Sequence, residues 1–258
     1  MTRSILDHLV EKFGRRTRLS QSDRDAILQL GFVRKTIEPH GHIVREGDLA
    51  ETATLIIDGL VIRHKVTRDG GRQILSLQVP GDFVDLENAM LRVADHGVQA
   101  LTRCDVAVFP RQSIVDLIDS HPRVGRALWI DTLIDASIYR ECILNIGRRD
   151  ARAGLAHLLC EYARRLELAG LAEPDGYQLP MTQEQLADAL GLTPVHVARV
   201  LKQLAADGLI RRDVRNIQIP NWEKLKTVAG FKEGYLHLEQ VFPLNGAANM
   251  NVEGRGMP

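Results

Sequence analysis

The chain has 258 residues, a length that suits one to two domains with a sizeable core in each and excludes a single small module held together by staples. Lys plus Arg and Asp plus Glu both number 33, so the formal net charge is zero and the overall balance points to no nucleic-acid partner. With 45% apolar and 26% charged residues, the composition is that of a globular protein and excludes extended disorder.

The opening residues MTRSILDHLVEKFGRR scatter charges along their length and lack the apolar core and cleavage site of a signal peptide. No apolar run approaches the roughly 18 residues of a membrane span. The best, Leu55 to Ile62, is broken by Asp58 and Gly59. A cytoplasmic protein without a membrane partner is expected. Residues 2 to 30 place apolar side chains at helical spacing, and Ser20 followed by Asp23 and Asp25 predicts a capped short helix.

From residue 32 to 110 the texture is that of strands. Thr54 to Ile57, Leu60 to Val66, Gln73 to Val79, Val98 to Leu101 and Asp105 to Phe109 alternate with turn signals, which predicts a small antiparallel barrel or sandwich. Those signals are Pro39-His40-Gly41, Glu46-Gly47-Asp48, Asp69-Gly70-Gly71 and Pro80-Gly81-Asp82, the third marking a hairpin. His40-x-His42-x-x-x-Glu46 has the spacing of a cupin metal site, so a metal-dependent enzyme or metal sensor using His40, His42 and Glu46 is the alternative reading. Against it, Arg34 stands where a cupin has glycine, and no third histidine follows Pro80-Gly81.

Residues 111 to 118 form one helical piece, and Pro122 opens a longer helix to about Asn145, since proline suits the first helical turn. Leu128, Asp131, Asp135, Ile138, Cys142 and Asn145 follow a 3-4 spacing that Ile130, Leu133 and Ile134 broaden. A stripe so wide predicts a dimer seam, with packing on the chain's own barrel as the alternative. Another amphipathic helix spans 148 to 168 and ends before the loop Glu173-Pro174-Asp175-Gly176. Cys104, Cys142 and Cys160 are odd in number and far apart, which excludes a disulfide framework and a zinc ribbon and predicts buried thiols. A redox role for one of them stays open. No phosphate-cradling loop or nucleophile elbow is present, so no catalytic residue and no cofactor is expected.

The most informative segment is 182 to 221. Thr182-Gln183-Glu184-Gln185 is a capping box that starts a helix whose inner face is Leu186, Ala187 and Leu190. Gly191 suits the sharp turn that follows. Thr193 caps a second helix opening on Pro194 and burying Val197, Val200, Leu201 and Leu204. This is a helix-turn-helix. Leu209 to Arg211 and Ile217 to Ile219, joined around Asp213-Val214-Arg215-Asn216, add a two-stranded wing. Between Pro194 and Lys226 stand seven basic residues (Arg199, Lys202, Arg211, Arg212, Arg215, Lys224, Lys226) and three acidic ones (Asp207, Asp213, Glu223), a local balance of plus four. Double-stranded DNA is therefore the expected partner, contacted by Thr193, Val195, His196, Arg199, Lys202 and Arg215. Arg199 suits the O6 and N7 of guanine, Val195 a thymine methyl, and Lys202 a phosphate.

This order of parts resembles the Crp/Fnr (cyclic-AMP receptor / fumarate-nitrate regulator) family of bacterial transcription factors over roughly residues 30 to 225. PHGHIVREGD is similar to the family's entry into its barrel, KVTRDGGRQILSLQVPGDFVDLE to its central hairpin, and MTQEQLADALGLTPVHVARVLKQLAADGLI to its helix-turn-helix. The resemblance implies an α+β protein: an effector-sensing barrel of the double-stranded β-helix type with N-terminal helices over 1–121, and a dimerisation helix over 122–147. A winged DNA-binding domain over 148–225 and an extension over 226–258 with a disordered tail complete it. It further implies a homodimer on a palindromic operator, RNA polymerase as a partner, and a small-molecule effector of unidentified nature. Cyclic-AMP-binding members carry a Glu after the Gly-Asp-Phe turn and an Arg-Ser pair, where this chain has Leu86 (or Asp85) and Ala94-Asp95. Without that arginine the phosphate lacks its bidentate partner, and Asp95 repels it. No cysteine precedes Cys104, which removes the iron–sulfur ligand set of the oxygen-sensing members. Val195 stands in place of the recognition-helix Glu, while Arg199 is retained.

Overall fold

The structure, a computed structural model, describes residues 5–49, 51–171, 176–213 and 215–238. The expected tail, residues 173–175 of the expected loop, and Val214 lie outside the described residues. Two helices come first. Helix α1 (Ile5–Arg16) buries Leu6, Leu9, Val10 and Phe13, and α2 (Gln21–Leu28) starts at the expected cap, where Ser20 and Asp23 exchange hydrogen bonds in a capping box.

Seven strands follow: β1 (Val33–Ile37), β2 (His42–Val44), β3 (Thr52–Asp58), β4 (Val61–Val66), β5 (Arg72–Gln78), β6 (Gly97–Ala100) and β7 (Cys104–Pro110). They pair antiparallel into two sheets, ordered β1-β7-β3 and β2-β6-β4-β5. Ile56, Val61, Val84, Val98, Ala100, Cys104 and Val106 fill the space between the sheets, while α1, α2 and the helices after β7 cover the outer face of the first. The first two strands carry no apolar alternation, which is why the sequence pattern begins only at β3: VRKTI in β1 is almost wholly exposed and is held by pairing with β7. The first turn forms at the expected Pro39-His40-Gly41, with His40 in the left-handed conformation (φ 67°). Gly41 is required for space, because a Cβ there would lie 2.7 Å from Ile37 Cγ2 and 2.9 Å from the Glu38 carbonyl oxygen.

Helices α3 (Arg111–Ser120) and α4 (Pro122–Gly147) follow, the latter opening on proline as expected. Toward its own chain α4 buries Val124, Ala127, Leu128, Ile130, Ile134, Ser137 and Ile138. Asp131 and Asp135 share this face as ion-pair partners of Lys12, Arg16 and Arg63. The expected stripe thus packs inward except for Leu133, which is half exposed and stands with Trp129 (66% exposed) and Ile143 (69% exposed) in a row that faces outward.

The remaining elements are α5 (Ala151–Leu168), β8 (Tyr177–Gln178), α6 (Gln183–Leu190), α7 (Pro194–Ala206), β9 (Arg211–Asp213), β10 (Asn216–Gln218) and α8 (Trp222–Ala229). The wing sheet has three strands, ordered β8-β10-β9, one more than the sequence predicts, and the strand expected from Leu209 starts at Arg211, Leu209 and Ile210 being buried in the core. Helix α8, also unforeseen, runs across residue 225 and adds Leu225 and Ala229 to a core built from Leu155, Leu159, Leu186, Val197, Val200, Leu201, Leu204 and Ile217. Each of the larger buried side chains contributes roughly 1.5–3 kcal/mol relative to exposure. This core is continuous with Ile62, Ile74 and Leu77 of the barrel and with Ile130, Ile134 and Ile138 of α4.

Candidate nucleic-acid interface

The capping box that opens α6 is formed as the sequence predicts: the Gln185 N–H donates to Thr182 Oγ1 at 3.1 Å, and the Thr182 N–H donates to Gln185 Oε1 at 2.9 Å. Helix α6 ends on Gly191 in the left-handed conformation (φ 64°), which turns the chain into α7 without a Cβ penalty. Thr193 Oγ1 accepts the His196 N–H at 3.3 Å, so its side chain caps α7 while lying at the helix mouth, where backbone N–H groups favour an anion.

With Val197, Val200, Leu201 and Leu204 buried against α6 and α5, the opposite face of α7 is fixed. Val195 is 81% exposed, Arg199 and Lys202 are exposed one and two turns further on, and His196 is half-buried at the edge of the row. Arg215 is exposed beside the hairpin of the wing. The six expected residues therefore fall on two adjacent elements, α7 and the wing. Not all seven basic residues are equally available. Lys226 reaches Glu233 at 3.6 Å and Lys224 donates to the Asp207 carbonyl oxygen at 3.4 Å. Arg199, Lys202, Arg211 and Arg215 enter no ion pair among the described residues, so the uncompensated charge lies on the outer face of α7 and on the wing. A face of this kind can neutralise backbone phosphates while presenting one guanidinium and one branched apolar group to base edges.

The alternative metal reading is not supported by the geometry. His40 lies in a turn, Glu46 pairs with Lys65 at 2.9 Å, and no group of three or more His, Cys, Asp or Glu able to hold a metal ion exists among the described residues. What sequence reasoning missed is a buried polar site between the barrel and α4. Arg63 of β4, 2% exposed, donates from Nε to the Val84 carbonyl oxygen at 2.8 Å and from Nη2 to that of Phe83 at 3.1 Å. Its Nη1 donates to Asp135 Oδ2 at 2.7 Å and to the Tyr139 hydroxyl at 2.8 Å, both on α4, and Glu87 lies 3.6 Å away. Burial disfavours its charge, but Asp135, Tyr139 and Glu87 more than offset that and hold the guanidinium firmly protonated. Asp85, 1% exposed, is pushed up to about 7 by burial, with the Thr54 N–H opposing. One sequence signal could have found the site: an arginine directly after the apolar run Leu60 to Ile62 in an inner strand, where the structure has a register shift between Arg63 and His64.

A barrel, a long helix and a helix-turn-helix with a wing and a cationic face define a DNA-binding transcriptional regulator. A Crp-like helix-turn-helix domain matches residues 155–228, and a cyclic nucleotide-binding domain matches residues 34–121. The chain is 31% identical over 192 residues to transcriptional activator protein FnrL of Cereibacter sphaeroides, covering 73% of this chain and 77% of that protein. It is 31% identical over 198 residues to a probable transcriptional activator of Rhizobium leguminosarum bv. viciae, covering 75% and 80%. The solved structure of FixK2 from Bradyrhizobium japonicum superposes with a TM-score of 0.72 at 28% identity, over 77% of this chain and 98% of that one. The chain belongs to the Crp/Fnr family of transcriptional regulators. No helix among the described residues is long and apolar enough to cross a membrane.

Proposed function

We propose that the protein works as a homodimer on a palindromic operator, with a signal at the barrel controlling DNA binding through α4. The observation that carries this reading is the outward row of α4. Trp129, Leu133, Ala136, Arg140 and Ile143 follow a 4-3-4-3 spacing on the side turned away from the chain's own barrel, and Trp129, Leu133 and Ile143 are exposed. Such a row covers itself economically by pairing with a second copy, as in a coiled-coil seam. Two α7 helices then enter successive major grooves about one helical turn apart. In this reading Arg199 reads guanine, Val195 touches a thymine methyl, His196 donates to a base or phosphate, and Thr193, Lys202 and Arg215 hold the backbone. RNA polymerase is the further partner. The layout is sensor barrel 1–121, seam helix 122–147, DNA-binding domain 148–225 and extension 226–258.

Selecting bound sequences from a random DNA pool with the purified full chain tests the reading. An inverted repeat with half-sites about one helical turn apart is expected. Enrichment of an unpaired half-site, or of no sequence at all, refutes it.

A further inference from the structure

Arg63 is a buried cation that DNA contact does not use. Its guanidinium joins three parts of the chain: β4, which carries it; the segment after Asp82, through the carbonyl oxygens of Phe83 and Val84; and α4, through Asp135 and Tyr139. The ionic contacts of the guanidinium are all carboxylates, while Lys12 and Arg165 line the cavity beside Asp135. Asp135 and Glu87 contact the guanidinium directly, and Asp85 lies one residue beyond Val84 with its Oδ2 buried and without a hydrogen-bond partner. An anionic effector would meet these carboxyl groups and a guanidinium already satisfied by the chain's own acceptors. Where cyclic-nucleotide-binding members are expected to carry a Glu and an Arg-Ser pair, this chain has Asp85 or Leu86 and Ala94-Asp95. The side chain thus bridges the barrel and the long helix, the two bodies whose relative set an effector would have to control.

We propose that Arg63 is a built-in substitute for an effector: it pins α4 to the barrel in the arrangement that DNA binding needs, with no phosphate-bearing ligand. The proposal rests on the reading of the chain as a dimeric operator-binding regulator. Arg63 is a positioning residue, acting on DNA only through α4. Regulation at this barrel is then a loosening of the pin, by competition for Asp135, Tyr139 or the guanidinium. If the pin's loss leaves about a tenth of the molecules in the competent arrangement, apparent operator affinity falls about tenfold.

The test measures operator affinity of the full chain by fluorescence anisotropy, with circular dichroism and thermal melts reporting the fold. A wild-type protein that binds no sequence would defeat the regulator reading itself and leave nothing for this proposal to act on. With binding established, Arg63→Ala is expected to lose about tenfold or more, and millimolar methylguanidinium is expected to restore its affinity while leaving the wild type unchanged. A general packing defect would not respond to a guanidinium compound. Because Arg63→Ala strands Asp135 and Glu87 and can fail to fold, the double variant Asp135→Asn/Tyr139→Phe is measured alongside. There Arg63 keeps its two carbonyl acceptors and Glu87, and only the charged and hydroxyl links to α4 are removed. The same order of loss is expected. Wild-type affinity for the operator in that double variant overturns the proposal, as does a folded Arg63→Ala that methylguanidinium does not rescue, or cyclic AMP that tightens wild-type binding.

Discussion

Replacing Asp85 by Asn changes stability with a pH dependence whose sign follows from burial. The carboxyl is raised from its ordinary 3.8 to about 7, mainly by burial, with the Thr54 N–H at 2.5 Å and Arg63 opposing. The folded state therefore holds a proton that the unfolded state releases, so the group favours folding fully below about 4, and that stability drains away as pH rises to about 7. A displacement of about three units at about 1.4 kcal/mol each sets a ceiling of about 4 kcal/mol, which relaxation of the site reduces to about 1–3 kcal/mol. Asn keeps the acceptor for the Thr54 N–H but places an amide where Oδ2 has no partner, a cost of about 1 kcal/mol at all pH values. Asp85→Asn is thus expected to be slightly less stable than wild type near pH 5 and more stable near pH 8.5. Urea denaturation of both proteins, at one protein concentration and ionic strength across that range, gives the difference curve, in which other titrating groups cancel. A difference that stays flat from pH 5 to 8.5, or slopes the other way, refutes the assignment of a neutral buried Asp85.

Two further outcomes concern the DNA-binding face and the thiols. Arg199→Ala is expected to weaken binding to the selected operator by about 1–3 kcal/mol and to relax preference at one base pair, with the melting temperature unchanged because the side chain is exposed and unpaired; equal affinity for operator and for a sequence altered at that pair in the wild type would remove its reading role. Burial pushes the Cys142 thiol up to about 11 and that of Cys160 up to about 12, and it also raises Cys104, so all three stay protonated and unreactive at neutral pH. Brief peroxide treatment is therefore expected to leave operator affinity unchanged in the wild type and in each Cys→Ser variant. Mass spectrometry showing rapid sulfenic acid at any of the three would contradict this.

Local chemistry was legible wherever a single residue dictates the backbone. Ser20, Thr182 and Thr193 cap helices because a hydroxyl at that position satisfies an N–H that nothing else reaches, and Pro122 and Pro194 open helices because their missing N–H is no loss there. Those signals fix α6, Gly191 and α7, and with them the whole outward row from Thr193 to Lys202. Periodicity read less well where both faces of an element are occupied. The stripe through Asp131 and Asp135 follows a real face of α4, but its meaning depends on Lys12, Arg16 and Arg63, which are 72 to 119 residues away in sequence and bring compensating charge that no local window contains. The same holds for β1, whose polar sequence is a strand only because β7 supplies its hydrogen bonds. Arg63 escaped notice for a related reason: a cation on an inner strand contradicts the alternation that identifies the strand, and only the folded arrangement of Phe83, Val84, Asp135 and Tyr139 accounts for it.

The DNA-binding helices take their orientation from a second set of polar contacts next to that pin. Asp82, in the turn after β5, is shared by Arg165 of α5 at 2.6 Å and Lys12 of α1 at 3.3 Å, and these two cations outweigh burial and keep its carboxyl below the usual range. Arg72 of β5 pairs with Asp188 of α6 at 2.7 Å, and the Gln73 amide donates to the Asp188 carbonyl oxygen at 2.7 Å. Partly buried pairs of this kind add little net stability, yet they penalise every arrangement in which one partner is left alone, so their main effect is on orientation. Helix α7 is separated from α6 only by Gly191, Leu192 and Thr193, so its angle to the barrel is inherited from β5. In the dimer proposed above, the distance between two such helices would be set through α4, to which Arg63 of β4 donates. Strands β4 and β5 pair from Val61–Gln78 to Val66–Arg72, with one register shift between Arg63 and His64. A disturbance that shifts this hairpin must act on Asp135 and Asp188 together, and in the proposed dimer it would couple the spacing of the recognition helices to their orientation.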